Sequence, residues 1–269
     1  MTTHELALSV CIMNIRMPVA CRRVSTYIRG ACDDSRTSLK LTYTVRSLDS
    51  VGSLLTPHLT HLDLSFAKVT DVSALASCTG LISLNLRNTN VYDVSALLAS
   101  CTGLTKLDLS RTRVTNLVPL ASCTGLTSLN LSFTKVSDVS PLASCTALTK
   151  LNLEFTKVID LSPLASCTAL TKLDLRITTV TDMSDLASCT GLTELDLTYC
   201  TSVSDVSALA YCTGLTKLNL YNTKVIDLSP LASCTGLTYL DLSWTNAYDV
   251  SDLADCTEIH REEEEEESE

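Results

Sequence analysis

Cysteine is the first chemistry this chain offers. Thirteen occur in 269 residues, and nine of them recur at near-constant spacing: Cys78, Cys101, Cys123, Cys145, Cys167, Cys189, Cys212, Cys234 and Cys256. Thiols in such a series could cross-link, hold zinc, or fill an interior. Zinc needs ligands at short spacing, yet no Cys-x-x-Cys occurs, and His58, His61 and His260 do not form a compact ligand set with the column. Adjacent members would carry parallel side chains, a poor disulfide geometry, and nine cannot all pair among themselves. The column therefore reads as reduced thiols packed as small hydrophobes, each three residues after a core leucine. No metal and no other cofactor is expected. Cys200 lies outside the column, in a segment Tyr199 to Ser202 read as a bulge, and is expected to be accessible.

Carboxylates recur as well. Asp71, Asp93, Asp138, Asp160, Asp182, Asp227 and Asp249 are evenly spaced, with Asp205 one place late. A catalytic pair would be singled out from such a series; a carboxylate in every unit suits capping of a following turn. Gly-rich nucleotide loops, His-Glu-x-x-His and serine elbows are missing. The chain is not expected to be an enzyme, and the carboxylates lack the dense spacing of a calcium loop.

These regular series are columns of one repeat. Nine units begin at Leu59, Leu81, Leu104, Leu126, Leu148, Leu170, Leu192, Leu215 and Leu237, seven of 22 residues and two of 23. Within a unit, apolar residues fall at positions 1, 4, 6, 11, 14 and 17, with Cys at 20. The Leu-x-Leu at 4 and 6 alternates as a half-buried strand does, and the later spacing of three suits a coil or tight turn. A single unit cannot bury its apolar side, so the fold exists only as a stack with its strands in parallel register. Thr at position 9 is expected to bond backbone groups at the bend and so build a ladder. Ser-Pro at 140–141, 162–163 and 229–230 is expected to cap and open a turn too short for a stable α-helix.

The pattern Leu-x-x-Leu-x-Leu-x-x-Thr-x-Val-x-Asp-Val/Leu-Ser-x-Leu-Ala-Ser-Cys-Thr-Gly resembles leucine-rich repeats, closest to the 22-residue type of internalins. It is also similar to leucine-rich-repeat proteins of kinetoplastids, in which Cys-Thr ends the unit. The resemblance covers about 200 of the 269 residues. It implies an α/β-type leucine-rich-repeat solenoid: a gently curved right-handed coil, a parallel β-sheet on the concave face, 3₁₀ turns and loops on the convex face. Internalins carry Asn at position 9 and Leu at 20, where this chain has Thr and Cys.

Four regions follow. Residues 1–38 are a non-repeat segment with basic character, 39–58 a degenerate repeat or cap, 59–258 the nine repeats, and 259–269 an acidic disordered tail. Ile259 reads as the first apolar position of a tenth unit. If 39–58 does not close the core, Leu62 to Leu64 is an open edge; Leu240 to Leu242 reads as exposed at the other end, which permits end-to-end self-association. The formal charge of −10 owes seven acidic residues to the last eight positions, and no clustered basic footprint argues for a specific nucleic-acid partner. No run of apolar residues is long enough to span a membrane. The thiol column and the weak export signal favour the cytoplasm, with a secreted or surface location as the alternative.

Positions 3, 5, 7 and 8 point away from the core. All three Phe of the chain, Phe66, Phe133 and Phe155, fall at position 8; Ile177, Tyr199 and the single Trp, Trp244, continue the stripe, with Tyr221 and Tyr239 beside it. Lys106, Lys150, Lys172 and Lys217 at position 3 and Asp108, Asp174, Asp196 and Asp241 at position 5 surround them. Aromatic groups among mixed charges are the usual composition of protein-binding hot spots. The expected function is macromolecular recognition, with another protein bound on the concave face. Two alternatives stay open: position 8 folds down and only shields the strand edge, or the repeats form a structural or decoy protein without a specific ligand.

Overall fold

The computed structural model describes residues 37–41, 45–253 and 256–261. Each unit contributes one three-residue strand. They are β1 Ser38–Lys40, β2 His61–Asp63, β3 Ser83–Asn85, β4 Lys106–Asp108, β5 Ser128–Asn130, β6 Lys150–Asn152, β7 Lys172–Asp174, β8 Glu194–Asp196, β9 Lys217–Asn219, β10 Tyr239–Asp241 and β11 Glu258–His260. All eleven pair in sequence order in one parallel sheet. The register matches leucine to leucine, Leu129 to Leu151 and Leu151 to Leu173 among them. Each middle residue turns inward because side chains alternate across a strand. The inward columns form one continuous core running the length of the stack.

The return path is a five-residue 3₁₀ turn in most units, such as Ser140–Ser144 and Ser162–Ser166. Its cap differs from the sequence expectation. Ser140 and Pro141 are already inside the turn, Val139 precedes it, and no serine side chain caps it. The capping group is the aspartate at position 13: Asp138 Oδ1 accepts the N–H of Ser140 at 2.8 Å. The same bond recurs at Asp71, Asp93, Asp160, Asp182, Asp205, Asp227 and Asp249, and Asn116 substitutes in the third unit. That confirms these carboxylates as turn formers.

One insertion shows how tightly length sets local structure. The second unit carries an additional leucine, and its return segment becomes the α-helix α1, Ser95–Ser100. Leu98 and Cys101 then donate four residues back, to Val94 and Leu97, whereas Cys123 donates three back to Leu120. An additional residue has to be absorbed without moving the flanking core columns, and the wider i→i+4 turn absorbs it.

Two threonine series hold the coils. Thr89, Thr112, Thr134, Thr156, Thr178, Thr223 and Thr245 at position 9 donate to the carbonyl of position 6 of their own coil at 2.6–2.8 Å. The ladder that joins coils is made elsewhere. Thr127, Thr149, Thr171, Thr193, Thr216 and Thr238 at position 2 each donate to the same residue's carbonyl in the preceding coil, at 2.9–3.1 Å. The position-9 expectation was therefore right about the acceptor type and wrong about the ladder.

At the N-terminal end the degenerate coil closes the core, and the C-terminal end departs from expectation. Leu62 is not at an edge: β1 pairs with β2, and Leu39, Leu41, Leu48, Val51 and Leu54 are buried against the first coils. Leu240 is covered as well, because Ile259 pairs with it. Ile259 thus occupies the strand position of a further coil, not its first position. Thr257 makes the position-2 bond to the Thr238 carbonyl at 3.2 Å, so the last coil reaches its strand three residues early. The non-repeat stretch 1–36 and the acidic run 262–269 lie outside the described residues.

Candidate binding face

The thiols are settled by packing. Cys78 through Cys234 are buried and unpaired, Cys256 is half-buried, and no group of three or more His, Cys, Asp or Glu that could hold a metal occurs among the described residues. Their S–H groups face carbonyls of the preceding coil: Cys167 Sγ lies 3.4 Å from the Leu142 oxygen and Cys189 Sγ 3.5 Å from that of Leu164. Burial pushes Cys101, Cys145, Cys167, Cys189 and Cys212 up to about 11, so they stay protonated and unreactive. Cys200 corrects the expectation of accessibility: it is fully buried. It takes the position-9 place of the usual threonine, 3.4 Å from Thr178 Oγ1 and 3.0 Å from the Leu175 carbonyl. The additional residue of that unit falls after it, so Tyr199 is an ordinary position-8 residue.

The outer side of the sheet is built by position 5. Asp or Asn stands there in all nine repeats, and each Oδ1 accepts the N–H two residues on, at 2.8–3.1 Å. Asp108, Asp174, Asp196 and Asp241 therefore have a structural task that the sequence reading did not assign. This Asx turn ends the strand and delivers position 8 into the left-handed region. Nine residues there have φ between 53° and 62°: Phe66, Asn88, Arg111, Phe133, Phe155, Ile177, Tyr199, Asn222 and Trp244. Asn tolerates that conformation; phenylalanine, tryptophan and above all β-branched isoleucine do not, at a cost of roughly 1–2 kcal/mol each.

The strained side chains point outward. Phe66, Phe155, Ile177, Tyr199 and Trp244 are 42–53 % exposed. Four successive coils, from Phe133 to Tyr199, present a continuous stripe. The Phe133 and Phe155 rings stack at 5.3 Å, and the Arg111 guanidinium lies 3.9 Å from the Phe133 centroid, which leaves Phe133 half-buried. Tyr221 meets Tyr199 edge-on at 5.2 Å and extends the cluster by one coil. Phe66 and Trp244 stand apart, separated from it by Asn88 and Arg111 on one side and Asn222 on the other. Tyr239 lies at position 3, against His260 at 5.2 Å.

Charge is arranged in two walls. On the position-3 side Lys150 and Lys217 are exposed and make no ion pair among the described residues, and Lys172 meets Glu194 at 2.6 Å. On the other side Arg176 gathers Asp174 at 2.8 Å, Glu154 at 3.0 Å and Asp196 at 3.6 Å. One guanidinium serves three carboxylates, and burial pushes the pKa of Glu154 and of Asp196 up from their ordinary values. Between the walls runs an open groove of about 510 Å³ from β5 to β10, floored by the backbone of Leu129, Leu151, Leu173, Leu195 and Leu218, whose side chains turn into the core.

Comparison with known proteins agrees with this architecture. A family model for leucine-rich repeats in two copies matches residues 102–144 and 124–166, and one for a single leucine-rich repeat matches 57–76 and 188–210. No curated protein matches the sequence. Among solved structures, an internalin (inlF) of Listeria monocytogenes is 30 % identical over 80 % of this chain and 70 % of its own, with a TM-score of 0.67. Internalin C2 of the same organism is 25 % identical over 80 % and 84 %, TM-score 0.55. The functional domain of Listeria monocytogenes InlJ, described as including a cysteine ladder, shares the fold at 23 % identity over 84 % and 53 %, TM-score 0.61. No helix among the described residues is long and apolar enough to cross a membrane. With matched strand register, Asx turns and repeat motifs in place, the chain belongs to the leucine-rich-repeat family and is a relative of the internalins.

Proposed function

We propose that the chain is a recognition scaffold that binds another protein across the outer face of its sheet, with Phe133, Phe155, Ile177, Tyr199 and Tyr221 as the central contact. Solenoids of this fold generally serve protein–protein interaction through that face. The observation that carries the assignment to these residues is the backbone of position 8. Asn88 and Asn222 show what the left-handed turn accommodates at little cost, yet six other units place aromatic or β-branched side chains there and leave most of them exposed. Packing alone does not account for a side chain that strains its backbone and then faces water. The fold does not require these groups, so a bound partner is the best account of them.

The test is a Phe133→Ser, Phe155→Ser double variant compared with the parent in proximity labelling and pull-down from cells of the source. Partners retained by the parent are expected to be weakened roughly tenfold or more, the loss typical of aromatic hot spots, with thermal stability nearly unchanged. An unchanged partner set together with early melting would assign the stripe to packing and sink the reading.

We further infer that the chain works in a reducing or mildly oxidising compartment, supported by the eight buried thiols of the column. Thiol counting on denatured, non-reduced protein tests this, and mostly blocked cysteines would overturn it.

A further inference from the structure

The groove beside the stripe has its own chemistry. Its floor is the strand backbone of β5 to β9, at the level of the inward-turned leucines. One wall carries Lys150, Lys172 and Lys217 with Glu194; the other carries Glu154, Asp174 and Asp196 with Arg176. The two sides are therefore opposite in net sign, although Glu194 and Asp196 are both acidic in β8 and Lys217 stands beside neutral Asn219 in β9. Position 5 adds a second element. Asn130 and Asn219 use Oδ1 for the turn, while their amide N–H groups donate to nothing among the described residues. Both line the groove, as does Lys150.

These groups specify an occupant. A floor of paired strand backbone flanked by the side-chain amides of Asn130 and Asn219 suits an extended main chain, whose carbonyls can accept from those amides. An extended chain sends alternate side chains to opposite sides. Along the stack, β5 to β9 spans four strand spacings, about 19 Å, or roughly six extended residues at about 3.3 Å each. One set of side chains then faces the lysines and the other faces the carboxylate wall and the aromatic stripe beyond it. Acidic residues fit the first side. On the second, a carboxylate would be repelled by Glu154, Asp174 and Asp196, whereas an apolar or aromatic side chain reaches Phe155 and Ile177.

We propose that the groove from β5 to β9 binds an extended segment of a partner protein in which acidic residues alternate with apolar or aromatic ones. This rests on the reading of the face as a protein-binding surface, and it names the class of ligand.

Selection from a displayed library of random linear peptides on the intact chain tests it. The enriched sequences are expected to alternate acidic and apolar residues over four to six positions. Synthetic copies are then measured by fluorescence anisotropy against three variant pairs. Lys150→Gln with Lys217→Gln removes the free cations. Asn130→Asp with Asn219→Asp removes the amide donors but keeps the Oδ1 acceptor, and Asp already serves that turn in other units. Phe133→Ser with Phe155→Ser removes the stripe. The first two pairs are each expected to weaken binding roughly tenfold, the lysine pair also with a reduced salt dependence. Enrichment of basic peptides, of apolar residues at helical spacing, or of nothing at all overturns the proposal, as does binding insensitive to the lysine and asparagine pairs. Binding that falls with those pairs but not with the Phe pair supports the groove and removes the stripe from this ligand. A loss with the Phe pair alone leaves the face as a binding surface and rejects the acidic ligand.

Discussion

Phe155 donates its backbone N–H to the carbonyl of Arg176 at 2.8 Å, and it holds φ at 53° while doing so. The sheet needs that hydrogen bond; it has no need of a phenylalanine to supply it. Asn222 makes the equivalent bond to Ser243 at 3.0 Å with the same φ of 53°. Phe155→Asn is accordingly expected to stabilise the chain or leave it unchanged, with a gain of up to about 1 kcal/mol after loss of the Phe133 stacking contact. Urea denaturation of the single variant measures this. A loss above about 2 kcal/mol would show that the ring is structural.

The thiol column predicts alkaline lability. Unfolded, each thiol ionises around its ordinary 9.0; folded, five of them hold their protons to about 11 because they are buried. Their contribution to stability is complete below pH 9 and is lost as pH rises from 9 towards 11, since only the unfolded chain gains by ionising. The denaturation midpoint should fall steeply across that window and hold steady from neutral pH up to it. A midpoint that stays flat through the window would contradict burial of the column as neutral thiols.

Thiol labelling gives a residue-level check. Alkylation of the native chain followed by peptide mapping should modify Cys256, which is half-buried, and spare Cys78 to Cys234 and Cys200. Rapid native labelling of Cys200 would return it to the exposed bulge that its sequence context suggested.

Core truncations should rank by coil neighbours. Leu151→Ala and Leu62→Ala both leave a cavity between two flanking strands, so each is expected to cost about 2–5 kcal/mol. Ile259→Ala, at the last strand and only partly buried, should cost clearly less. Equal losses at all three sites would mean that β11 is covered by a further layer.

The inter-coil ladder has a direct test in Thr171→Val. Its hydroxyl donates to Thr149 at 3.0 Å and accepts no burden from the core. The isosteric change should cost about 0.5–1.5 kcal/mol, and the same change at Thr179, an exposed residue outside both threonine series, should be neutral. Indistinguishable variants would remove the ladder from the account.

Much of this protein was legible without coordinates because a stacked repeat turns tertiary contacts into sequence period. Leu151 meets Leu129 and Leu173 for the same reason that each recurs in its unit, so the strand columns, the thiol column and the turn-forming aspartates were all readable as series. The outward position of Phe155 followed from the same period. Tertiary structure alone decided the rest. Position 5 looked like free surface charge because a sequence does not show that Asp174 accepts the N–H of Arg176. The left-handed backbone at position 8 was hidden for the same reason: φ is set by the turn bond and the inter-coil bond together, and the residues found there are ones that disfavour it. Cys200 and Ile259 were misassigned because insertions and deletions break the count, and only the register, with Thr178 beside Cys200 and Leu240 beside Ile259, restores it.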